Sequence, residues 1–510
     1  MRGKKGQGLC PWTPTACRRC HQRCAAGVYC TVRSLLMSNS EQRKLGSGAY
    51  GPSGSRAEPW PFLVFLYAFI VVTNASAAVD PQFEAALSQA DLYNPQLAVA
   101  RKQLREADEG VPRALSGWRP HVTVDGSFGA SAFWDSMDPT HQPERRVPQE
   151  SFLSVTQPLY TGGRVHAQVN QAEALVDAER AGLQATEAAV LLAAATAYLD
   201  VARDQRIVGL NRNQETVLQR TLHASEQELA AGAVTETDVA QARARLADQR
   251  AQTAQAMAAL GVSRAEYEQQ VGQPAGESPL PVRALDLPPS LDAALTLGPA
   301  NFDVVQSRAA EEASQQGIDI ARAGLRPRLS AEFHGGRAKE TDTQFPHQRD
   351  DLAEATLDLT VPLYQGGEQA AEIRQAKEAA ARSLLQVDVV LRHAREQVQA
   401  AWALLDGART RIEQDHLSLQ ANNVAERGVA RQQSVGERTL LEVLNAQQEQ
   451  LAAEVSLVTA ERDSYVAGLQ LQAATGRLSA AALGLEVPLY DPLAHYRATR
   501  DRWYGTNPAP

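Results

Sequence analysis

Cysteine is nearly absent from this chain. All five cysteines (Cys10, Cys17, Cys20, Cys24 and Cys30) lie in the first 30 of 510 residues. Everything beyond Cys30 therefore has no disulfide, no thiol nucleophile and no cysteine to carry a lipid. Aromatic residues make up only 5% of the chain, too few for several thick globular cores. No run of 18 apolar residues occurs, which argues against a transmembrane helix. Positive charge is also short. Residues 1–77 carry ten basic and two acidic side chains, so the overall net charge of −9 leaves about −17 for the remainder. A chain that acidic is a poor partner for nucleic acid. After residue 77 there is no nucleophile elbow, phosphate loop or metal-ligand spacing, so neither an enzyme nor a cofactor is expected. His393–Glu396, "HARE", falls on a helical pattern and reads as solvated surface.

The N-terminal region reads as a leader. Pro61–Val72, "PFLVFLYAFIVV", follows Arg43, Lys44 and Arg56 and precedes Ala75-Ser76-Ala77, a small-x-small cleavage pattern. Residues 37–77 are therefore expected to be a secretory signal peptide starting at Met37, with residues 1–36 a mis-assigned extension ahead of it. "CRRCHQRC" has zinc-like spacing, but cleavage would discard any such module.

What is abundant is repetition. "QPLYTGG" at 157–163 returns as "VPLYQGG" at 361–367, 204 residues later. At that offset Leu153 matches Leu357, Gly232 matches Gly436, Thr235 matches Thr439 and Gly272 matches Gly476. Upstream the offset is 207, where Arg101 matches Arg308 and Arg119-Pro120 matches Arg326-Pro327. The three-residue difference predicts a loop between those blocks. A duplication of this size means one structural unit built twice. The units are residues 78–272 and 291–476, separated by a proline-rich linker at 273–290 and followed by a tail at 477–510.

Each unit changes periodicity. Even positions from Val122 to Trp134 are apolar or small while the odd ones are mostly polar, a period of two that predicts a strand. Leu153–Tyr160, Leu329–His334 and Ala355–Val361 alternate likewise, and polar loops join each pair. Strands of about ten residues suit a membrane-spanning β-strand. After each Y-x-G-G the pattern becomes helical. Leu384, Leu391, Val398, Leu405, Ile412 and Leu419 recur every seven residues, with Val387, Ala394, Ala401 and Ala408 at the second seam position. Pro158, Tyr160, Gly162 and Gly163, and equally Pro362, Tyr364, Gly366 and Gly367, therefore mark strand-to-helix junctions. Proline should end ladder pairing there, and paired glycines permit the turn.

This doubled strand–PLYxGG–long helix unit resembles the TolC family of outer-membrane efflux and export proteins over nearly all of residues 80–476. The resemblance implies an α+β membrane protein. In it a homotrimer forms a 12-stranded outer-membrane β-barrel, four strands per chain, continued by a long α-helical coiled-coil barrel in the periplasm. It implies a passive exit duct serving a periplasmic adaptor and an inner-membrane ABC or proton-driven transporter, seated in outer-membrane lipid. The tail "VPLYDPLAHYRATRDRWYG" resembles the type I secretion branch, and cargo stays open between polypeptides, drugs and metals. A secreted coiled-coil fibre would explain the heptads but not the alternating strands.

The helix reversals, "AGAVTETDVAQAR" and "SVGERTLLEVLNA", carry Gly232 and Gly436 at the tips. Thr235…Asp238 and Thr439…Glu442 come next as capping boxes. The resemblance adds a second role, a closed periplasmic aperture. It implies that Arg438 pairs with Thr237 and Asp238, and that Glu442 forms an acidic ring in the pore. It also implies that adaptors dock at the tips. Gln433 stands where the family archetype has a tyrosine link, and Asn445 where it has a second acidic ring, so fewer closing links are expected.

Overall fold

The computed structural model describes residues 81–134, 144–280, 285–341 and 348–508. The expected extension with its five cysteines, the signal peptide and the tips of both hairpin loops lie outside the described residues.

Repeat one opens with α1 (Pro81–Tyr93), α2 (Pro95–Asp108) and α3 (Gly110–Leu115), then β1 (His121–Phe128), β2 (Ser131–Phe133) and β3 (Glu144–Tyr160). Two long helices close it, α4 (Arg164–Ala230) and α5 (Glu236–Val271). Repeat two has α6 (Leu291–Leu297), α7 (Phe302–Ala323), β4 (Arg328–Thr341), β5 (Gln348–Thr360), α8 (Glu368–Ser434) and α9 (Leu440–Ala474). The tail carries α10 (Ala480–Leu483) and α11 (Ala494–Thr499). At 67 residues each, α4 and α8 run about 100 Å.

The duplication holds contact by contact. Asn94 caps α2 through Gln96 N at 2.9 Å, and Asn301 caps α7 through Asp303 N at the same distance. Asn94 Nδ2 also donates to the Gln270 carbonyl, and Asn301 Nδ2 donates to the Ala474 carbonyl, 204 residues on. Gly117 packs against Val165 just as Gly324 packs against Gln369.

The strands form an antiparallel sheet in the order β1-β3-β4-β5, with β2 also on β3. Thus the hairpin of repeat one pairs directly with that of repeat two. β1 and β2 share one register on β3, His121↔Thr156 through Phe133↔Glu144, so they act as one strand with an interruption at Gly129-Ala130. That interruption faces Pro148, which has no N–H to give the ladder. The sheet is longer than the sequence pattern indicates, because β3 spans 17 residues and β4 spans 14. It is also bare. Val124 is 72% exposed and Leu357 70%, although both belong to the apolar face. Among the described residues, β1 and β5 each leave one edge unpaired.

Registers divide the sheet into two faces. One presents Val122, Val124, Leu153, Val155, Phe333 and Leu357, while the other presents Asp125, Glu150, Glu332, His334, Glu354 and Asp358.

Packing is concentrated where the long helices meet the short ones. Tyr198, Leu191 and Leu199 of α4 are fully buried with Phe83 of α1 and Leu469 of α9, and Phe83 meets Tyr198 edge-on at 5.2 Å. One 18-residue window of α4 is apolar enough to cross a membrane, with mean hydropathy 1.4, but 56% of it is buried by neighbouring helices. The α8 seam is buried at Ala394, Val398, Ala401, Leu405 and Ala408. Leu384, expected at the seam's start, is instead 59% exposed among the described residues.

The described residues of the proline-rich stretch between repeats form no helix, yet they are held in place. Ser278 N donates to Gln205 Oε1 at 2.9 Å, and Leu285 packs beside Gly468. The tail is likewise fixed. His495 Nδ1 lies 2.9 Å from Asp108 Oδ2, both side chains buried, and the Arg119 guanidinium stacks 4.9 Å over the Trp503 ring. Burial pushes the Asp108 carboxyl above its usual range, opposed by His495.

Candidate functional site

Two pairs of places carry the sequence motifs: the strand-to-helix junctions and the helix reversals. At the junctions Gly162, Gly163, Gly366 and Gly367 all take left-handed backbone, with φ between 63° and 87°. Only glycine enters that region without steric cost. Gly163 and Gly367 then start α4 and α8. Pro362 comes just after the end of β5 as expected, but Pro158 does not end its strand. β3 continues to Tyr160 with a register irregularity between Pro158 and Tyr160. β3 is held by neighbours on both sides, whereas β5 is an edge strand.

The two junctions differ in what surrounds them. A Cβ on Gly162 would meet Arg326 Cβ at 2.8 Å and the Ala323 carbonyl at 3.0 Å. Arg326 Nη1 donates to the Gly162 carbonyl at 3.1 Å. A Cβ on Gly366 or Gly367 would meet no atom within 4 Å.

At the reversals each long helix ends in a left-handed glycine, Gly232 at φ 75° and Gly436 at φ 81°. Ala233 N reaches back to the Glu228 carbonyl and Glu437 N to the Gln432 carbonyl, each at 2.9 Å. These six-to-one bonds satisfy carbonyls that the helix end leaves open. Thr235 then caps α5 in a full capping box: Asp238 N donates to Thr235 Oγ1, and Thr235 N donates to Asp238 Oδ2 at 3.0 Å. Those bonds from Thr235, backbone first, hold the Asp238 carboxyl below the usual range. In the same way Glu442 N donates to Thr439 Oγ1 at the start of α9.

Arg438 does not reach Thr237 or Asp238 within one chain. Its Nη1 donates to Glu442 Oε2 at 2.6 Å and its Nε to Gln432 Oε1 at 3.2 Å. The Arg438 guanidinium accordingly holds Glu442 below the usual carboxylate range. Gln433 contributes its carbonyl, which accepts from Gly436 N at 2.9 Å. Asn445 does make a link between hairpins, because its Oδ1 accepts from Arg245 Nη2 at 2.7 Å and so ties α9 to α5. Sequence reasoning missed Arg245. Its signal is positional: Asp238, Ala242 and Arg245 recur at helical spacing along one face of α5. Beneath this link Leu218, Leu246 and Leu444 form a small apolar cluster. Further along, Arg206–Glu461 at 2.9 Å and Arg462–Asp200 at 2.8 Å tie α4 to α9.

This is bonding chemistry, with caps and ion pairs that could close or release an aperture. Among the described residues no group of three His, Cys, Asp or Glu side chains could hold a metal.

The profile of the outer membrane efflux protein family matches residues 86–273 and 299–477. The outer membrane efflux protein BepC of Brucella suis is 31% identical over 437 residues, covering 85% of this chain and 94% of its own. The alkaline protease secretion protein AprF of Pseudomonas aeruginosa is 26% identical over 425 residues, covering 80% and 84%. Among solved structures, the outer membrane protein VceC of Vibrio cholerae superposes with a TM-score of 0.68 at 19% identity, covering 78% of this chain and 96% of VceC.

Proposed function

Because the chain belongs to the outer membrane efflux protein family, we propose that three copies close one barrel and tunnel, with contacts that the internal repeat specifies. The protein is a passive exit channel of the outer membrane, not an enzyme. Closure by further copies is supported above all by a bare sheet with two free edges, which hydrocarbon does not tolerate. Two copies would give eight strands, an interior filled by side chains; three give twelve and room to conduct.

The repeat supplies the docking rule. Within the chain, α7 lies between α4 and α8. By the duplication, α2 packs on its own α4 and should seat its other side on the neighbour's α8. The uncovered residues fit: Val99 on α2 is 56% exposed and Leu385 on α8 is 66% exposed. Gly182 beside Gln306 becomes Gln386 beside the neighbour's Val99. The open space at Gly366 becomes the seat of the neighbour's Arg119, the counterpart of Arg326 at Gly162.

That ring sets the rest of the tunnel. Gly232 and Gly436 lie at its inner rim, where a periplasmic adaptor docks and couples it to an inner-membrane transporter. Arg245–Asn445 and Arg438–Glu442 narrow the aperture, with Thr237, Asp238 and Gln433 facing neighbouring chains there. AprF is named for secretion of an alkaline protease. That likeness, with the ordered tail, favours polypeptide cargo, with drug efflux as the second use.

The test uses a chain that has no cysteine after residue 30. V99C with Q386C, oxidised in outer-membrane vesicles, should give covalent trimers, and either change alone should give none. Monomers only, from protein that still fractionates with detergent-soluble membrane, would refute the ring.

A further inference from the structure

The far end of the β4–β5 ladder breaks the pattern of the sheet's apolar face. Here Arg337 stands opposite Asp351, and one step farther out Lys339 stands directly opposite Arg349. Directly opposed side chains lie about 5 Å apart, and like charges so placed repel. Arg337 Nε and Arg349 Nη2 both donate to Asp351, at 2.7 and 2.6 Å, so one carboxylate is shared by two guanidinium groups. The Lys339 ammonium is exposed, with no partner among the described residues. Along β3 the same face carries Arg145, exposed, opposite Ala132. The opposite face is acidic instead, with Asp125, Glu150, Glu332, Glu354 and Asp358.

Among the described residues of the β4–β5 ladder, three basic side chains on this face meet one acid, and two of the three are opposed, which leaves negative charge short there. Their position identifies what supplies it. Leu329, Ala331 and Phe333 on β4, and Leu357 and Leu359 on β5, precede them on the same face toward the helices. The cations therefore begin where the lipid-facing apolar band ends, at the headgroup level on the side away from the periplasm. We propose that Arg337, Lys339 and Arg349 bind the phosphate groups of a phosphorylated glycolipid in the outer leaflet, with Lys339 and Arg349 clasping one phosphate between them.

This placement rests on the barrel reading, since only a barrel puts that face against lipid. Arginine presents a planar fork to phosphate oxygens and lysine a compact charge, so the pair offers both modes of contact. Each basic residue near an anionic surface contributes about a fivefold factor in affinity.

Purified full-length protein in detergent would be titrated with lipopolysaccharide and with its phosphatase-treated form, with binding read by native mass spectrometry. The wild type should bind the phosphorylated lipid at least tenfold more tightly than the treated lipid. K339Q with R349Q should lose roughly 25-fold in affinity for the phosphorylated lipid. Equal binding of both lipids by the wild type would overturn the site without any variant. So would unchanged binding by K339Q/R349Q, or full competition by millimolar inorganic phosphate. Conductance in planar bilayers separates the premises: a conducting wild type without phosphate preference sinks the site alone, while no insertion sinks the barrel.

Discussion

Substituting Arg245 with alanine removes the guanidinium that reaches Asn445 at 2.7 Å, and little else. Alanine is the best helix former, so α5 itself should not weaken. The bond is exposed and charge-assisted, worth about 0.5–1 kcal/mol in one chain. Three symmetry copies release about 1.5–3 kcal/mol together, which shifts an opening equilibrium by roughly tenfold to a hundredfold. Single-channel recordings in planar bilayers read this directly, as a larger mean conductance or longer open dwell times. Asn445→Ala should reproduce the change, and the double variant should add nothing, because both delete the same bond. Conductance equal to wild type in Arg245→Ala refutes the link, and additive effects in the double variant refute the pairing.

Charge sets two further outcomes. The Glu442 carboxyl is held low by Arg438, so this link is fully present above the ordinary carboxylate pKa and is lost as pH falls through the lower folded value. Acidic buffer on the periplasmic side should therefore raise conductance, and Glu442→Gln should flatten that response and weaken block by divalent cations. Identical titrations for wild type and variant would exclude Glu442 from the pore. At the tail, His495→Ala leaves the buried Asp108 carboxyl without its hydrogen-bond partner, and an unsatisfied buried polar group costs about 1–3 kcal/mol. Proteolysis of folded protein should then cut within residues 477–510. Since Asp108 has a raised pKa, the fold holds its proton tightly, and docking of the tail weakens as pH rises through that value. Asp108→Asn should remove that trend.

Much of the architecture was legible because two periodicities and one duplication are written at full length. The period-two runs gave the strands, the sevenfold run gave the α8 seam, and the 204-residue offset gave equivalent junctions. The misses share a cause. Pro158 stays within β3 because neighbours on both sides outweigh its missing donor, and strand order is a long-range fact. Leu384 is exposed because a repeating apolar position does not say which chain covers it. At the tips the capping residues were legible from spacing alone. Arg245–Asn445 was not, because it joins residues 200 positions apart that only the folded hairpins bring together.

A sheet with two unpaired borders also constrains how the channel is born. A solitary chain entering hydrocarbon would drag along the naked amides and carbonyls of β1 and β5, each costing several kcal/mol. Newly exported copies must therefore gather first, zipped through their helices in water, and cross into the bilayer as one body. Insertion should accordingly depend steeply on concentration and stall when the supply of chains is thin.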